Sequence, residues 1–545
     1  MRNRPLRLSL VVALVFVVAA IAACGQQPKE SQPPKQQVSS KQGGTITYGL
    51  YQQPETLDPH VTGQAVTGRI ILNVIESLLS TDPKGTIVPG LATEYSVNAN
   101  ATEYTFKLRK DAKFHDGDPF NAEAVKFNFE RIVDPKTKSQ SAISSLGPYL
   151  RTDVIDPYTV KVVFKEPYAL FLTNVTGTTL GMVSPKAAKA LGQDLGKKPV
   201  GTGPFRFVEW VQGDHVTLEG NPDYKWAPPT AKHQGPAYLD KLIFKFVLES
   251  QVRAGALQSG ELTGAEEIPT QYVKQLQGNQ NFSVRIETFL GSPRRFPINV
   301  KKPPTNDLKV RQAILYSTDR KQIVDTLFQG LFPVGYGPLS RNMWSYNPAV
   351  EKAYPYDAKK AGEILDQAGW IMGKDGIRYN KKNEPLRIGI YTQAGLSSHE
   401  DLSQMVQAQL KKTGFKAEIV AQARPAWYQS LTNGDHNMAP MALWGTDPNT
   451  LYSLYHSSQL VGGFNWSHYS DPEFDRITDE AQKVPDRAKR TELYMRAQEI
   501  AYIRDAAELP VHENVSITAF SSRVDGLTFD SNTNPVFYDV YLKPK

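Results

Sequence analysis

Residue types that carry covalent catalysis occur in this chain, but they lack the spacing that catalysis requires. The 545 residues include nine histidines and a single cysteine. The sequence contains no Gly-x-Ser-x-Gly elbow, no Gly-x-x-x-x-Gly-Lys loop, no Gly-x-Gly-x-x-Gly and no His-Glu-x-x-His. The histidines are scattered, and no cysteine lies between His456 and His468. The sequence therefore predicts neither an enzyme nor a metal or cofactor site.

The single thiol, Cys24, lies at the end of a short apolar run with a basic start. Arg2, Arg4 and Arg7 precede a stretch, residues 8–20, that is apolar except for Ser9. A helix of this length cannot cross ~30 Å of hydrocarbon, which needs about 20 residues. The charged, apolar and small-residue regions are typical of a secretory signal peptide, which we place at residues 1–23.

The residues around the thiol, Ile21-Ala22-Ala23-Cys24, resemble the bacterial lipobox. That resemblance implies cleavage before Cys24 and lipidation of its thiol, which would anchor the chain to a membrane. The alternative is that Cys24 is an ordinary residue of a signal peptide cleaved elsewhere. The segment that follows, residues 24–44, is rich in Gln, Pro and Lys, which predicts a flexible linker that buries too little apolar surface to fold.

Composition bounds the remaining part of the chain, residues 45–545. Its length, about 500 residues, is too great for one core, so we expect two or three subdomains. The net charge of the whole chain is +7, and both signs are mixed along it without basic blocks. A nucleic-acid-binding protein would show a basic patch or stripe, so nucleic acid is not an expected partner. We expect a monomer.

Short strands and helices alternate, which is typical of a mixed α/β protein. In residues 103–114, Tyr104, Phe106 and Leu108 share one face, which predicts a half-buried strand. Three helices are predicted, beginning after Asn121, after Asp357 and at Asp471-Pro472, where a short polar side chain can cap the first turn. Residues 199–205, PVGTGPF, predict a tight turn, because the proline after the glycines lacks an N–H for a phosphate.

Three longer stretches resemble family 5 of the bacterial extracellular solute-binding proteins, the dipeptide, oligopeptide and nickel binders of ABC transporters. They are LATEYSVNANATEYTFKLRKDAKFHDGDPFNAEAVKFNFERI at residues 91–132, KKPVGTGPFRFVEWVQGDHVTLEGNPDYKW at 197–226, and NVKKPPTNDLKVRQAILYSTDRKQIV at 299–324. With ETLDPH near residue 55, they extend the resemblance over nearly all of residues 45–545.

The resemblance implies an α/β fold of the type II periplasmic-binding-protein class, with two lobes around a cleft. Lobe I would carry an extra subdomain, and two chain crossings, RRFPINV at 294–300 and ELPVHEN at 508–514, would form the hinge. The implied bounds are 45–82, 196–292 and 512–545 for lobe I, 83–195 for the extra subdomain, and 293–511 for lobe II.

The implied ligand site centres on Trp444-Gly445-Thr446-Asp447. In the peptide-binding members a Trp-x-x-Asp aspartate pairs with the α-ammonium of the peptide. Here Pro448 follows Asp447 at once, so Asp447 can instead match a later acidic-Pro position of the family, or simply begin a turn. Trp444 is expected to offer apolar contact area in the cleft.

Weaker candidates for ligand binding follow from the same resemblance and from residue type. Trp466 and Asn465 follow two glycines that would let a loop approach a ligand closely. An arginine at the first hinge crossing, Arg295 or its neighbour Arg294, could hold a ligand carboxylate in a bidentate contact, or form a salt bridge instead. The remaining candidates are Trp427 and Tyr51.

The leading functional hypothesis is a lipid-anchored protein on the extracytoplasmic face of the cell envelope. It would capture a peptide-like solute and deliver it to the permease subunits of an ABC importer. Two alternatives remain at this point. One keeps the fold but binds an oligosaccharide or a nickel chelate, and the other is an envelope enzyme or a receptor without a transporter.

Overall fold

The structure, a computed structural model, describes residues 41–82 and 85–544. The predicted signal peptide, Cys24 and the linker as far as residue 40 lie outside the described residues. In the described part of the chain, no helix is both long enough and apolar enough to span a membrane.

The first part of the chain builds a large mixed sheet and a smaller antiparallel one. Its elements in chain order are β1 (Thr45–Leu50), α1 (Ala65–Ile71), β2 (Leu79–Thr81), β3 (Ile87–Pro89), β4 (Ala92–Val97), β5 (Glu103–Leu108), α2 (Ala122–Val133), α3 (Ser141–Leu146), β6 (Tyr149–Asp156), β7 (Thr159–Phe164), α4 (Phe171–Asn174), α5 (Pro185–Leu191), β8 (Phe205–Val211), β9 (His215–Gly220), β10 (Lys241–Phe246), α6 (Ser250–Ser259), β11 (Gly264–Ala265), α7 (Thr270–Gln277) and β12 (Phe282–Thr288).

The second part is richer in helices. Its elements are β13 (Arg294–Pro297), α8 (Leu308–Ser317), α9 (Arg320–Phe328), α10 (Ala358–Gln367), β14 (Ile371–Met372), β15 (Arg378–Tyr379), β16 (Arg387–Gln393), α11 (Ser397–Lys412), β17 (Lys416–Gln422), α12 (Arg424–Asn433), α13 (Thr450–Tyr455), α14 (Pro472–Lys483), α15 (Arg487–Gln498) and β18 (Glu508–His512). The chain ends with β19 (Val515–Ser521), β20 (Val524–Asp525), β21 (Thr528–Phe529), β22 (Pro535–Val536) and β23 (Tyr541–Leu542).

Lobe I is organised by a seven-stranded sheet in the order β12-β19-β11-β1-β10-β9-β8. The central strand β1 runs parallel to both of its neighbours, β10 and β11. Strand β19 joins this sheet from the C-terminal part of the sequence. Lobe I is therefore assembled from segments that precede lobe II in the chain and a segment that follows it.

The extra subdomain is a four-stranded antiparallel sheet, β4-β5-β7-β6, covered by helix α2. The predicted strand is confirmed, because Tyr104, Phe106 and Leu108 of β5 are all buried on one face. The predicted helix is confirmed too, since the Asn121 side chain accepts a hydrogen bond from the backbone N–H of Ala124 at 3.0 Å. One continuous apolar core joins this sheet to the large sheet, so the subdomain is packed firmly on lobe I.

The turn predicted at residues 199–205 leads straight into β8 and opens no helix. A side chain at Gly201 would place its Cβ 2.1 Å from the carbonyl oxygen of Val74. A glycine is therefore needed here, because two backbones pack closely.

Lobe II is built around the parallel pair β16–β17, which residues 438 and 298 extend through single bridges. The two remaining predicted helices are confirmed as α10 and α14, each capped by the aspartate that precedes it, Asp357 and Asp471. Two apolar clusters fill this lobe.

The two predicted hinge crossings lie side by side as strands β13 and β18, paired antiparallel from Arg294↔His512 to Pro297↔Glu508. The expected fold class, two α/β lobes with an extra subdomain, is confirmed. A pair of short adjacent strands that each enter a different lobe at either end is a suitable hinge, because a small backbone rotation there moves one lobe against the other.

Candidate functional site

A cavity of about 520 Å³ lies where lobe I, the extra subdomain and lobe II meet. Lobe I supplies most of the wall, from the segment after α1 and from the loops around residues 224–231 and 528–539. The subdomain adds residues of α4 and the turn after it, and lobe II adds residues 444–446. A ligand enclosed here would touch all three units, so binding would be coupled to the relative position of the lobes.

Trp444 is the aromatic side chain that lobe II presents to this cavity. It is 61% exposed, although Met441 before it and Asp447 after it in the chain are buried. Its backbone is held by a bridge to Gly291, and its ring contacts Phe289 at 6.2 Å between centroids. A tryptophan with a fixed backbone and an open face provides apolar contact area at small entropic cost.

Asp447 lies beside the cavity but is already paired within the protein. Its Oδ1 is 2.7 Å from Nη2 of Arg490, and its Oδ2 accepts a hydrogen bond of 3.1 Å from the hydroxyl of Thr173. The Thr173 bond connects lobe II to the extra subdomain, as does a backbone bond from Ala169 to Gln482. In this conformation the Asp447 carboxylate therefore ties two units together and has its countercharge from Arg490.

Three other candidates, Trp427, Trp466 and Asn465, are buried in lobe II and do not line the cavity. The two tryptophans pack edge to face with ring centroids 5.6 Å apart. The Asn465 amide donates to three backbone carbonyls, including that of Tyr455 at 3.0 Å, and so holds its own loop in shape.

Arg295 is fully enclosed at the hinge, with 0% exposure, and its Nη1 is 3.0 Å from a carboxylate oxygen of Glu508. Its neighbour Arg294 is half-buried and bonds to Nε2 of His399 at 3.0 Å. Tyr51 is half-buried at the end of β1, with the guanidinium of Arg69 5.5 Å from its ring centroid. None of these side chains reaches the described wall of the cavity.

The sequence did not single out Glu76, a half-buried residue of the cavity wall. Three donors hold it, each at 2.8 Å: the hydroxyls of Thr202 and Tyr224 and the indole N–H of Trp226. Burial raises the pKa of Glu76 to about 7, although the three donors oppose that shift. The only sequence signal was indirect, since NPDYKW, which contains Tyr224 and Trp226, belongs to one of the stretches that carried the resemblance.

Two further carboxylates, Asp530 and Asp539, belong to the same wall. Asp530 accepts bonds from the backbone N–H groups of Asn532 and Asn534, at 2.9 and 2.8 Å, which shapes its loop. Asp539 is bonded to Nδ1 of His233 at 2.9 Å. Among the residues that the structure describes, no group of three or more His, Cys, Asp or Glu side chains is placed to hold a metal ion.

The family model for bacterial extracellular solute-binding proteins, family 5 (Middle), matches residues 86–464. The chain belongs to this family. The match covers most of the chain, from the extra subdomain through the Trp444 segment, so the predicted resemblance is confirmed. As a member of this family, the chain is an extracytoplasmic solute-binding protein of the kind that serves ABC importers.

Individual relatives agree with the family over almost their whole length. The glutathione-binding protein GsiB of Shigella dysenteriae is 28% identical, over 99% of this chain and 100% of the relative. The structure of the ABC transporter-associated periplasmic binding protein DppA of Helicobacter pylori, in complex with the peptide STSA, has a TM-score of 0.72 and 27% identity, covering 93% of this chain and 99% of DppA. NikA of Brucella suis, in complex with Fe(III)-EDTA, shares the fold with a TM-score of 0.80 at 23% identity, covering 92% of this chain and 100% of NikA.

Proposed function

We propose that this solute-binding protein captures a peptide-like solute in the cavity between its lobes and delivers it to an ABC permease. The observation that carries the proposal is the position of Trp444, a largely exposed indole in the wall of a cavity to which both lobes and the subdomain contribute. A peptide backbone between such a ring and the polar loops of lobe I would gain apolar contact and hydrogen bonds together. The likeness to a relative solved with a bound peptide supports this choice of ligand class.

Closure about the hinge would complete the site. Strands β13 and β18 are short and side by side, so rotation there opens or closes the cavity without disturbing either core. The bonds from the subdomain to lobe II, Thr173 to Asp447 and Ala169 to Gln482, involve no residue of β13 or β18 and would form only when the lobes approach. A bound solute favours the closed form to the extent that it contacts both lobes.

The proposal is tested by the solutes that remain bound during purification. The protein is purified without refolding, denatured, and the released small molecules are identified by mass spectrometry. We expect peptides or close analogues, with calorimetric titration of the same compounds giving saturable binding to protein stripped of its solute. Release of an oligosaccharide or of a metal chelate, with no binding of peptides, would contradict the proposed ligand class.

We further propose that Cys24 carries the lipid that anchors the protein to the extracytoplasmic face of the membrane. We expect Cys24→Ser to leave the thermal unfolding midpoint unchanged but to move the protein from the membrane fraction to the soluble fraction. The measurement is fractionation after a salt wash, with Ser31→Ala in the linker as the matched control. If the Cys24→Ser protein still sediments with membranes, the anchor is not on this thiol.

A further inference from the structure

We propose that a cationic group of the solute, an ammonium or a guanidinium, binds against the carboxylate of Glu76 in the lobe I wall of the cavity. The inference rests on the proposed function, since it takes the same cavity as the solute site. Beyond that function, the site would prefer a solute that carries a positive charge, and Glu76 would be the residue responsible for this preference.

Glu76 is held in a fixed orientation by neutral hydrogen-bond donors. Its carboxylate is held in place by the hydroxyls of Thr202 and Tyr224 and by the indole of Trp226, and all three donors are uncharged. Arg109 acts on it electrostatically, but Arg109 itself bonds to Asp111, at 3.1 Å. Among the described residues the carboxylate is thus oriented by neutral donors and forms no direct ion pair, and this pre-organisation favours binding of a cation.

The charged side chains in the described wall of the cavity are all acidic. Over residues 41–82 and 85–544, the wall contains three carboxylates, Glu76, Asp530 and Asp539, and no Lys, Arg or His. An anionic group enclosed here would lose its hydration and face like charges, which is costly. A cationic group would exchange its hydration for a charged partner that is already in position.

Asp447, the carboxylate that the Trp-x-x-Asp resemblance suggested as the partner of a solute ammonium, is already paired within the protein. Asp447 is ion-paired with Arg490 at 2.7 Å and bonded to Thr173 of the subdomain. A solute cation could use it only by competing with Arg490, whose guanidinium would then be left buried and unpaired. Among the described residues Glu76 forms no ion pair, and it belongs to the wall of the cavity.

The pKa of Glu76 predicts how the affinity for a cation should depend on pH. Burial raises its pKa to about 7, and the ionisable groups that face it are Arg109, Tyr224 and Tyr538. Both tyrosines have raised pKa values, so they stay neutral, whereas the charge of Glu76 changes near neutrality. Burial also raises the pKa of Asp530 in the same wall. A cation stabilises the ionised form, so affinity for a cationic solute should rise by about tenfold between pH 6 and pH 8, as Glu76 ionises.

The test uses four synthetic tripeptides with the full-length protein stripped of its solute: Ala-Lys-Ala, Ala-norleucine-Ala and the N-acetylated form of each. Norleucine keeps the aliphatic stem of lysine without its ammonium, and acetylation removes the terminal ammonium. Affinities are measured by calorimetric titration for the wild type, for Glu76→Gln, and for Glu219→Gln as a matched control on the exposed surface of lobe I. We expect the wild type and Glu219→Gln to prefer at least one ammonium-bearing peptide over the doubly neutral one by tenfold or more.

In Glu76→Gln that preference should fall below threefold, with the doubly neutral peptide bound as before, and the wild-type preference should grow from pH 6 to pH 8. Equal wild-type affinity for all four peptides, or an unchanged preference in Glu76→Gln, would overturn the inference. The wild-type series stands even if the variant fails to fold. If no peptide binds, the peptide-like solute is rejected, and the co-purified compound decides the inference separately. A cationic compound that binds Glu76→Gln at least tenfold more weakly supports it, whereas a neutral or anionic compound overturns it.

Discussion

Replacement of Arg295 by Met is expected to lower the free energy of unfolding by about 3–5 kcal/mol, the usual cost of removing one partner of a buried ion pair. Arg295 and Glu508 are both at 0% side-chain exposure, 3.0 Å apart, where the two hinge strands pair. The hydroxyl of Tyr455 also donates to Glu508, and the Arg295 guanidinium lies over the Tyr455 ring. Without Arg295, Glu508 keeps a buried charge with one neutral donor. Urea denaturation followed by circular dichroism measures the loss.

The neighbouring residue provides the matched control. Arg294 is half-buried and bonds to His399 rather than to a carboxylate, so Arg294→Met should cost only about 1 kcal/mol. The double variant Arg295→Met/Glu508→Leu should recover most of the loss, because no charge is then left buried. Equal stability of the Arg295→Met and Arg294→Met proteins would show that the ion pair contributes little to the hinge.

The loss of stability in Arg295→Met is expected to increase with pH. Burial raises the pKa of Glu508, and Arg295 opposes that shift, so removal of Arg295 raises the pKa further. A carboxyl whose pKa is raised in the folded state favours folding when it is protonated, and that contribution is lost as the pH rises through the folded pKa. The deficit of Arg295→Met should therefore be smaller at pH 5 than at pH 8.

Replacement of Trp444 by Ala is expected to weaken solute binding by at least ~2 kcal/mol, or about thirtyfold, if the indole packs on the solute. The ring is 61% exposed and contacts Phe289, so its removal should change the unfolding midpoint little. Calorimetric titration with the solute identified from the purified protein gives the affinity. Tryptophan fluorescence offers a second readout, since a signal change on binding should be lost in Trp444→Ala.

Tyr356→Ala is the matched control for the loss of an exposed aromatic side chain. Tyr356 is 51% exposed in lobe II and does not belong to the wall of the cavity. Its replacement should leave affinity within a factor of two. If Trp444→Ala also stays within that factor while the protein remains folded, the solute does not contact the lobe II wall at this position, and the proposed site is wrong.

Sequence patterns were sufficient for the elements that local interactions specify. The alternation of Tyr104, Phe106 and Leu108 predicted a strand with one buried face, and the cap at Asn121 predicted where a helix begins. Both patterns work because a strand exposes side chains with a period of two, and a cap satisfies N–H groups only two or three residues away. The position of Trp444 in the cavity wall was also accessible from the sequence, but through family resemblance.

Local sequence patterns could not predict which residues would pair with the charged side chains. The three donors to Glu76 lie 126, 148 and 150 positions along the chain, and the arginine that pairs with Asp447 lies 43 positions away. A lone carboxylate in a sequence carries no mark of whether it will meet a countercharge, since that depends on which distant segments the packed core brings together. In the folded chain Asp447 is paired with Arg490, whereas Glu76 lies in the cavity wall with no ion pair to any described residue. This difference depends on which side chains from both lobes and the subdomain are buried together, and no local sequence pattern specifies it.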